Sequence, residues 1–201
     1  ARIRAPDLTF QQVIDAALRG YATRRALGRR AYDLVTDQAS GRVVRQYRPV
    51  FTYLTYDEVR RRIEAMANAW VHHPEHRVAP GESVRIFGSS GVDFVTCDLA
   101  CPYMHAVVAP LQANLAAPDV ADVFTDIQPV TLVASIDALD AVVQHALEGP
   151  KTIRSLIVMD VDVAVDDERE AVERARDALA GRGIAVAVLD DLLAYGQGFD
   201  Y

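Results

Sequence analysis

The chain has 201 residues, a hydrophobic fraction of 51% and a formal net charge of −7. This length fits one domain or part of a larger one, and the apolar content is ample for a packed core. The acidic balance argues against a nucleic-acid partner, and the longest apolar runs, such as 184–189, are far too short to span a bilayer.

The start of the chain and its cysteines indicate a cytoplasmic location. Ala1 is not an initiator methionine, and residues 1–4 lack the apolar core of a signal peptide, so we expect a trimmed N-terminus. Cys97 and Cys101 lie four residues apart in a predicted helix. They are too few for a metal site or a disulfide framework, so we interpret them as buried thiols in a reducing compartment.

The first 54 residues predict a helix followed by a β-hairpin. Apolar residues recur at helical spacing within 8–21. Two extended runs follow, 31–36 and 42–54, separated by the turn-forming residues 37–41. Because proline cannot donate to a sheet, Arg48-Pro49 predicts an edge or a bend in the second run.

A capping box opens the next predicted helix. The side chain of Thr55 can accept a hydrogen bond from the backbone N–H three residues later, and the side chain of Glu58 can accept one from the backbone N–H of Thr55. Leu54 and Val59 occupy the positions of a hydrophobic staple. The helix ends before Pro74, because proline disfavours helical geometry in the residue that precedes it. Its apolar face comprises Val59, Ile63, Met66, Ala67 and Trp70.

From residue 83 onward, buried strands alternate with amphipathic helices. The predicted strands are apolar on both faces: 84–87, 107–111, 131–134, 156–159 and 186–189. The helices between them have apolar stripes: 120–127 stopped by Pro129, 139–147 stopped by Gly149-Pro150, and 166–180 stopped by Gly181. This order predicts an α/β fold, a mostly parallel, doubly wound sheet flanked by helices. The N-terminal helix and hairpin (1–54) precede this sheet layer (55–201).

The turn Gly88-Ser89-Ser90-Gly91 follows a strand and opens a helix, where an anion would meet free N–H groups. However, a P-loop needs a lysine after its second glycine, and here Gly91 is followed by Val92. A nucleophile elbow needs a glycine two residues after its serine, and Val92 stands at that position after Ser90. Two interpretations of this turn remain: direct contact with a phosphate, or a serine N-cap with a tight glycine turn. We favour the second.

The histidines and aspartates have similarly plain interpretations. His72, His73 and His76 could suggest a metal, but no supporting ligand stands nearby, so we expect solvated loop histidines. His105 precedes a buried strand, and we expect a neutral core histidine rather than a ligand-facing one.

The acidic run near residue 160 resembles part of a calcium loop but lacks its glycine and bidentate glutamate. We interpret these residues as a surface loop and a helix N-terminus; they are Asp160, Asp162, Asp166 and Asp167. No catalytic, cofactor-binding or metal-binding residue is predicted.

Three motifs, in their order along the chain, resemble motifs near the start of adenylate-forming enzymes. This family includes the acyl-CoA synthetases, luciferases and peptide-synthetase adenylation domains. The motifs are Leu54-Thr55-Tyr56-x-Glu58, Pro80-Gly81-Glu82-x-Val84 and Ala106-Val107-Val108-Ala109-Pro110-Leu111. Finer details resemble the carboxylic acid reductases: residues 20–31, Val35-Thr36-Asp37 with Ser40-Gly41-Arg42, Ala69-Trp70-x-His72-x-Pro74, Val92-Asp93-Phe94 with Asp98-Leu99-Ala100, and Pro110-Leu111-Gln112. The chain departs from the pattern where Met104-His105 replaces Leu-Gly and Cys101-Pro102 interrupts a helix.

The resemblance implies the N-terminal part of an adenylation domain. In such a reductase, ATP and Mg²⁺ convert a carboxylic acid into an acyl-adenylate, a phosphopantetheine carrier takes the acyl group, and NADPH releases an aldehyde. The phosphate loop with its lysine and the catalytic lysine of this family lie beyond Tyr201, so we expect the chain alone to be inactive. Its expected partners are the acid substrate, the remaining lobe, and the carrier and reductase domains. A stand-alone acyl-CoA ligase or a non-catalytic α/β binding module remain the alternatives.

Overall fold

A computed structural model describes residues 7–111 and 128–200. These residues form an N-terminal helix, a β-hairpin and an α/β layer, as the sequence predicts. The elements are α1 (Phe10–Gly20), β1 (Arg25–Thr36), β2 (Val43–Thr55), α2 (Tyr56–His72), β3 (Ser83–Phe87), α3 (Val92–Tyr103), β4 (Val107–Leu111), β5 (Pro129–Ser135), a 3₁₀ turn (Ile136–Ala138), α4 (Leu139–Glu148), β6 (Ser155–Met159), α5 (Asp166–Ala180), β7 (Ala185–Val188) and α6 (Leu189–Gly196).

The strands of the described residues form two sheets. β1 and β2 pair antiparallel as a separate two-stranded hairpin. The other five are parallel to their neighbours, in the order β4-β3-β5-β6-β7. The strand order reverses at β3, because β4 lies on one side of it and β5 on the other. In open α/β sheets, such a reversal opens a crevice at the carboxyl ends of the strands.

The core lies on both faces of the parallel sheet, which confirms the doubly wound layer. On one face, Val84, Val133 and Ile157 pack with α2, α3 and α6. On the other, Leu132 and Leu156 pack with α4 and α5. All five of these side chains are fully buried. The alternation of strand residues between two covered faces explains why β3, β5 and β6 are mostly apolar. Arg85 in β3 and Thr131 in β5 are exceptions, since both are fully buried.

Local signals in the sequence set several element ends. Glu58 N–H donates to Thr55 Oγ1 at 3.3 Å, and Thr55 N–H donates to Glu58 Oε2 at 2.6 Å, so the predicted capping box is present. A second capping box, between Thr9 and Gln12, opens α1. The bend expected at Arg48-Pro49 appears as a register shift opposite Arg30–Tyr32.

Some strand and helix predictions need correction. β4 is not buried on both faces, because it lies at the end of the strand order and leaves Val107 49% exposed. Pro110 is compatible with that position, since an edge strand need not donate there. β1 begins at Arg25, earlier than expected, and Leu189 opens α6 rather than ending β7.

Two other helix predictions have different outcomes. Gly181 caps α5 as expected but in a right-handed conformation (φ −65°), and the positive φ falls at Gly183. The predicted helix 120–127, and Gln112, lie outside the described residues. No helix in the described ranges combines the length and apolar character needed to cross a membrane.

Candidate functional site

The turn after β3 has the tight geometry that its glycines suggest. A Cβ added at Gly88 would come within 2.6 Å of Met159 Cε and 3.1 Å of Ser135 Cβ, and the φ of +158° is a backbone conformation that favours glycine. The N-cap of α3 is Gly91, without a side-chain cap bond, and Ser89 and Ser90 are exposed. The predicted serine N-cap is therefore wrong, because the chain reaches helical geometry one residue later than Ser90.

A cleft of about 740 Å³ lies between the hairpin and the carboxyl ends of the parallel strands. We call it the edge cleft. One wall belongs to the hairpin and the other to the segments that follow β3, β5, β6 and β7. Its lining includes Arg29, Arg30, Tyr32, Arg45, Tyr47, Ser89, Ser90, Gly91, Asp93, Asp137, Asp160, Asp162, Glu168, Asp190 and Asp191. This is the edge at which open α/β sheets bind ligands.

Two carboxylates of the edge cleft, those of Asp162 and Glu168, hold the hairpin. Arg45 Nη2 donates to Glu168 Oε2 at 2.6 Å and to the Asp160 carbonyl oxygen at 3.0 Å. Tyr32 donates from its hydroxyl to Asp162 Oδ2 at 2.8 Å. Burial raises the pKa of Glu168, and the Arg45 charge opposes that rise. Since these side chains already have partners, their arrangement is structural.

A second set of contacts joins β6 to α2 and α3. Arg62 Nη2 pairs with Asp93 Oδ1 at 2.6 Å, and Asp93 Oδ2 accepts from the Asp160 N–H at 3.1 Å. Burial, and then the charge of Asp93, raise the pKa of Asp160 to about 6. Asp160 is also one of two non-glycine residues at positive φ in the described ranges. The lining of the cleft contains more acidic than basic side chains, which disfavours a bare phosphate.

The acidic run forms no metal site. Asp166 accepts from the Val43 N–H at 2.7 Å, and Asp167 pairs with Arg42 at 2.7 Å, so both fasten the hairpin to α5. Asp160 and Asp162 face the edge cleft instead. Within residues 7–111 and 128–200, no group of three or more histidine, cysteine, aspartate or glutamate side chains could hold a metal ion.

The histidine predictions are partly wrong. His76 is 3% exposed, and its Nδ1 lies 2.7 Å from Ser155 Oγ, because the chain after α2 turns back over the start of β6. Burial, and then the charge of His73, lower the pKa of His76 to about 4. His72 is exposed as expected, and His73 Nδ1 accepts from the N–H groups of Glu75 and His76.

His105 is exposed, not buried in the core. Its φ is +55°, in the left-handed region that favours glycine. The turn from α3 into β4 requires this conformation, because Ala106 N–H returns to the Cys101 carbonyl at 3.0 Å. The turn therefore explains why a glycine suits this position better than the histidine.

The prediction that both cysteines are buried thiols is confirmed. Cys97 and Cys101 are both free and fully buried in α3. Burial raises the pKa of both thiols, so neither is a reactive thiolate. Cys101 Sγ donates to the Cys97 carbonyl oxygen at 3.4 Å, so this thiol bonds to the backbone of the helix that carries it.

Sequence reasoning missed the arginines that organise this edge. Arg45 looked like one polar residue in an extended run, and only the docking of the hairpin on α5 pairs it with Glu168. Lys151 is the only lysine in the sequence. It precedes β6 and is exposed, so it lies at the amino ends of the strands, away from the edge cleft.

Comparison with known proteins gives consistent matches. A family model described as AMP-binding enzyme matches residues 35–193. The chain is 36% identical over 197 residues to a carboxylic acid reductase of Mycobacterium marinum, covering 98% of this chain and 16% of that protein. It is 36% identical over 195 residues to a carboxylic acid reductase of Mycobacterium tuberculosis, covering 97% and 16%. The chain thus spans about a sixth of the length of these curated relatives.

Solved structures agree with these matches. The A domain of a carboxylic acid reductase from Segniliparus rugosus, solved with AMP and a co-purified carboxylic acid, matches with a TM-score of 0.93 at 34% identity. That match covers 99% of this chain and 32% of the other. An anthranilate CoA ligase bound to anthranoyl-AMP matches with a TM-score of 0.57 at 16% identity, over 78% of this chain and 26% of that one, which shows a shared fold alone.

Proposed function

Since this chain belongs to the AMP-binding enzyme family and corresponds to about a third of a carboxylic acid reductase A domain, we propose that it serves in the activation of a carboxylic acid by ATP. The product is an acyl-adenylate, in which AMP replaces hydroxide as the leaving group. In the complete protein the acid is then reduced to an aldehyde.

The observation that carries this proposal is the extent of the structural match. The A domain of the Segniliparus reductase aligns with 99% of the chain, hairpin included, at a TM-score of 0.93. The anthranilate CoA ligase aligns with less of the chain and far less closely. The relatives are reductases, which argues against a stand-alone ligase and against a non-catalytic binding module.

We propose that these 201 residues supply scaffold rather than catalytic groups. Support comes from the edge cleft, where Asp162, Glu168 and Asp93 are bound to protein groups. The single lysine, Lys151, lies at the other end of the strands. A site that handles phosphates needs cations or metal to neutralise their charge. The cleft itself offers Arg29, Arg30 and Arg45 against seven carboxylates, so we propose that the remaining part of the adenylation domain supplies the further cations or the metal ligands.

The further partners follow from the same proposal. ATP and Mg²⁺ act in the complete adenylation domain, and phosphopantetheine and NADPH act in the carrier and reductase domains. The buried thiols of Cys97 and Cys101 suit a reducing, cytoplasmic setting. The proposed division into 1–54 and 55–201 is supported by the separate hairpin and parallel sheets.

Acid-dependent exchange of pyrophosphate into ATP tests the proposal. The complete protein is expected to show exchange with a carboxylic acid, and to oxidise NADPH only when its carrier domain bears phosphopantetheine. The 201-residue polypeptide is expected to show no exchange. Failure of the complete protein to exchange with any member of a panel of aliphatic and aromatic acids would refute acid activation. Exchange by the polypeptide alone would refute the scaffold role.

A further inference from the structure

Two hydroxyl side chains lie side by side in the core, near the amino ends of two parallel strands. Thr131 in β5 and Ser155 in β6 are partners in register, and both are 0% exposed. Strands in a sheet lie about 4.8 Å apart, and partners in register project to the same face. Two residues further along the same strands, Val133 and Ile157 belong to the core that α2, α3 and α6 cover. The two hydroxyls therefore sit in an otherwise apolar face of the sheet.

The two hydroxyls differ in their hydrogen bonds. Ser155 Oγ lies 2.7 Å from Nδ1 of His76, which closes over it from the loop after α2. Thr131 Oγ1 is buried as well, yet it forms no hydrogen bond with any group in residues 7–111 and 128–200. By contrast, the other fully buried threonine of these ranges, Thr96, donates to the Val92 carbonyl oxygen at 2.8 Å. Thr131 thus departs from the rule that buried hydroxyl groups are hydrogen-bonded.

The chemistry of this place selects a small, neutral ligand that can both donate and accept. A hydroxyl has one donor and two acceptor sites, and the bond to His76 uses only one site of Ser155. Burial, and then the charge of His73, lower the pKa of His76 to about 4, so its ring is neutral at pH 7 and attracts no ion. Complete burial of Thr131 and Ser155 leaves room for nothing larger than a few atoms. Water has these properties.

We propose that an ordered water molecule bridges Thr131 Oγ1 and Ser155 Oγ beneath His76. The two oxygens do not bond to each other directly, and a gap of this kind between polar groups is where a bridging water acts. Two hydroxyls meet the minimum of partners that a buried water needs. The water extends the bond between His76 and Ser155 to a second strand, so the loop after α2 is fastened to both β6 and β5.

High-resolution crystal structures of the complete adenylation domain, to which this chain contributes about a third, test the proposal directly. The parent should show a water within hydrogen-bond distance of Thr131 Oγ1 and Ser155 Oγ. Thr131→Val keeps the shape of the side chain without its hydroxyl and should lose that water, whereas T131S keeps the hydroxyl and should retain it. A parent structure without the water, or with a direct bond between Thr131 and Ser155, would overturn the proposal.

Thermal unfolding of the same domain gives a second test, because the sign of the change separates the two states of Thr131. A hydroxyl bonded to water loses that bond in T131V, so the melting temperature should fall by about 1–3 °C. A buried hydroxyl without a partner is unfavourable, and its removal would raise the melting temperature instead. T96V removes a hydroxyl whose bond is established and should also melt lower. An unchanged or raised melting temperature in T131V, beside a lowered one in T96V, would contradict the bridging water.

Discussion

Replacement of Asp160 by asparagine should stabilise the protein at neutral pH. Asp160 lies at the end of β6 with φ +59°, partly buried and close to the charge of Asp93. Its pKa rises from 3.8 to about 6, so ionisation in the folded state is unfavourable. Asparagine keeps the shape, tolerates the left-handed backbone and carries no charge.

The magnitude follows from that pKa. A shift of this size corresponds to about 3 kcal/mol between the protonation states at pH 7, and partial solvent screening reduces the expected gain to about 1–2 kcal/mol. The sign follows from proton linkage. A carboxyl whose folded pKa is raised destabilises the fold above that pKa, and the penalty fades as the pH falls from about 6 towards 3.8. The advantage of D160N should therefore shrink in acid.

Urea denaturation followed by circular dichroism at a series of pH values measures both effects. D177N removes the charge of an exposed aspartate on α5 and should change the unfolding free energy by less than about 0.5 kcal/mol. D160A also removes the charge but lacks the side chain that tolerates positive φ, so it should gain less than D160N. The reasoning fails if D160N is no more stable than the parent at pH 8, or if its advantage persists unchanged at pH 4.

Three further predictions concern the packing and titration of single residues. Burial lowers the pKa of His76 to about 4, so its neutral ring stabilises the fold above pH 6.5. As the pH falls towards 4, the free energy of unfolding should drop by up to about 3 kcal/mol. An NMR titration of the ring should give a pKa well below 6. A Cβ at Gly196 would overlap the Ala65 carbonyl oxygen, so G196A should lose at least about 2 kcal/mol on urea denaturation, whereas G181A, with open space around it, should lose less than about 0.5 kcal/mol. His105→Gly should raise the unfolding free energy by about 0.5–1 kcal/mol because it relieves the left-handed backbone, and a loss of stability in that variant would refute the assignment of strain.

Elements with strong local signals were predictable from the sequence. Thr55 and Glu58 set the start of α2 through contacts only three residues apart. The mostly apolar strands β3, β5 and β6 predicted a parallel sheet covered on both faces, because strands buried on both sides carry apolar residues at positions of both parities. Buried polar residues among them, such as Arg85, Thr131 and Ser155, do not follow that pattern. The resemblance to adenylation domains likewise rested on the order of motifs along the chain.

Contacts between distant segments were not predictable in the same way. His76 reads as a loop histidine until the chain places it over Ser155, 79 residues away. The aspartates near residue 160 read as a surface loop until the hairpin docks on them through Tyr32 and Arg45.

The sequence by itself determined the order and type of most elements and the family, because helix caps, strand composition and motif order are local properties. The tertiary structure decided which strands lie at an edge and which polar groups are buried. It also decided that the glycine–serine turn opens onto a cleft in which Asp162 and Glu168 hold the hairpin. Those outcomes depend on which distant segments meet, and spacing along the chain does not encode that.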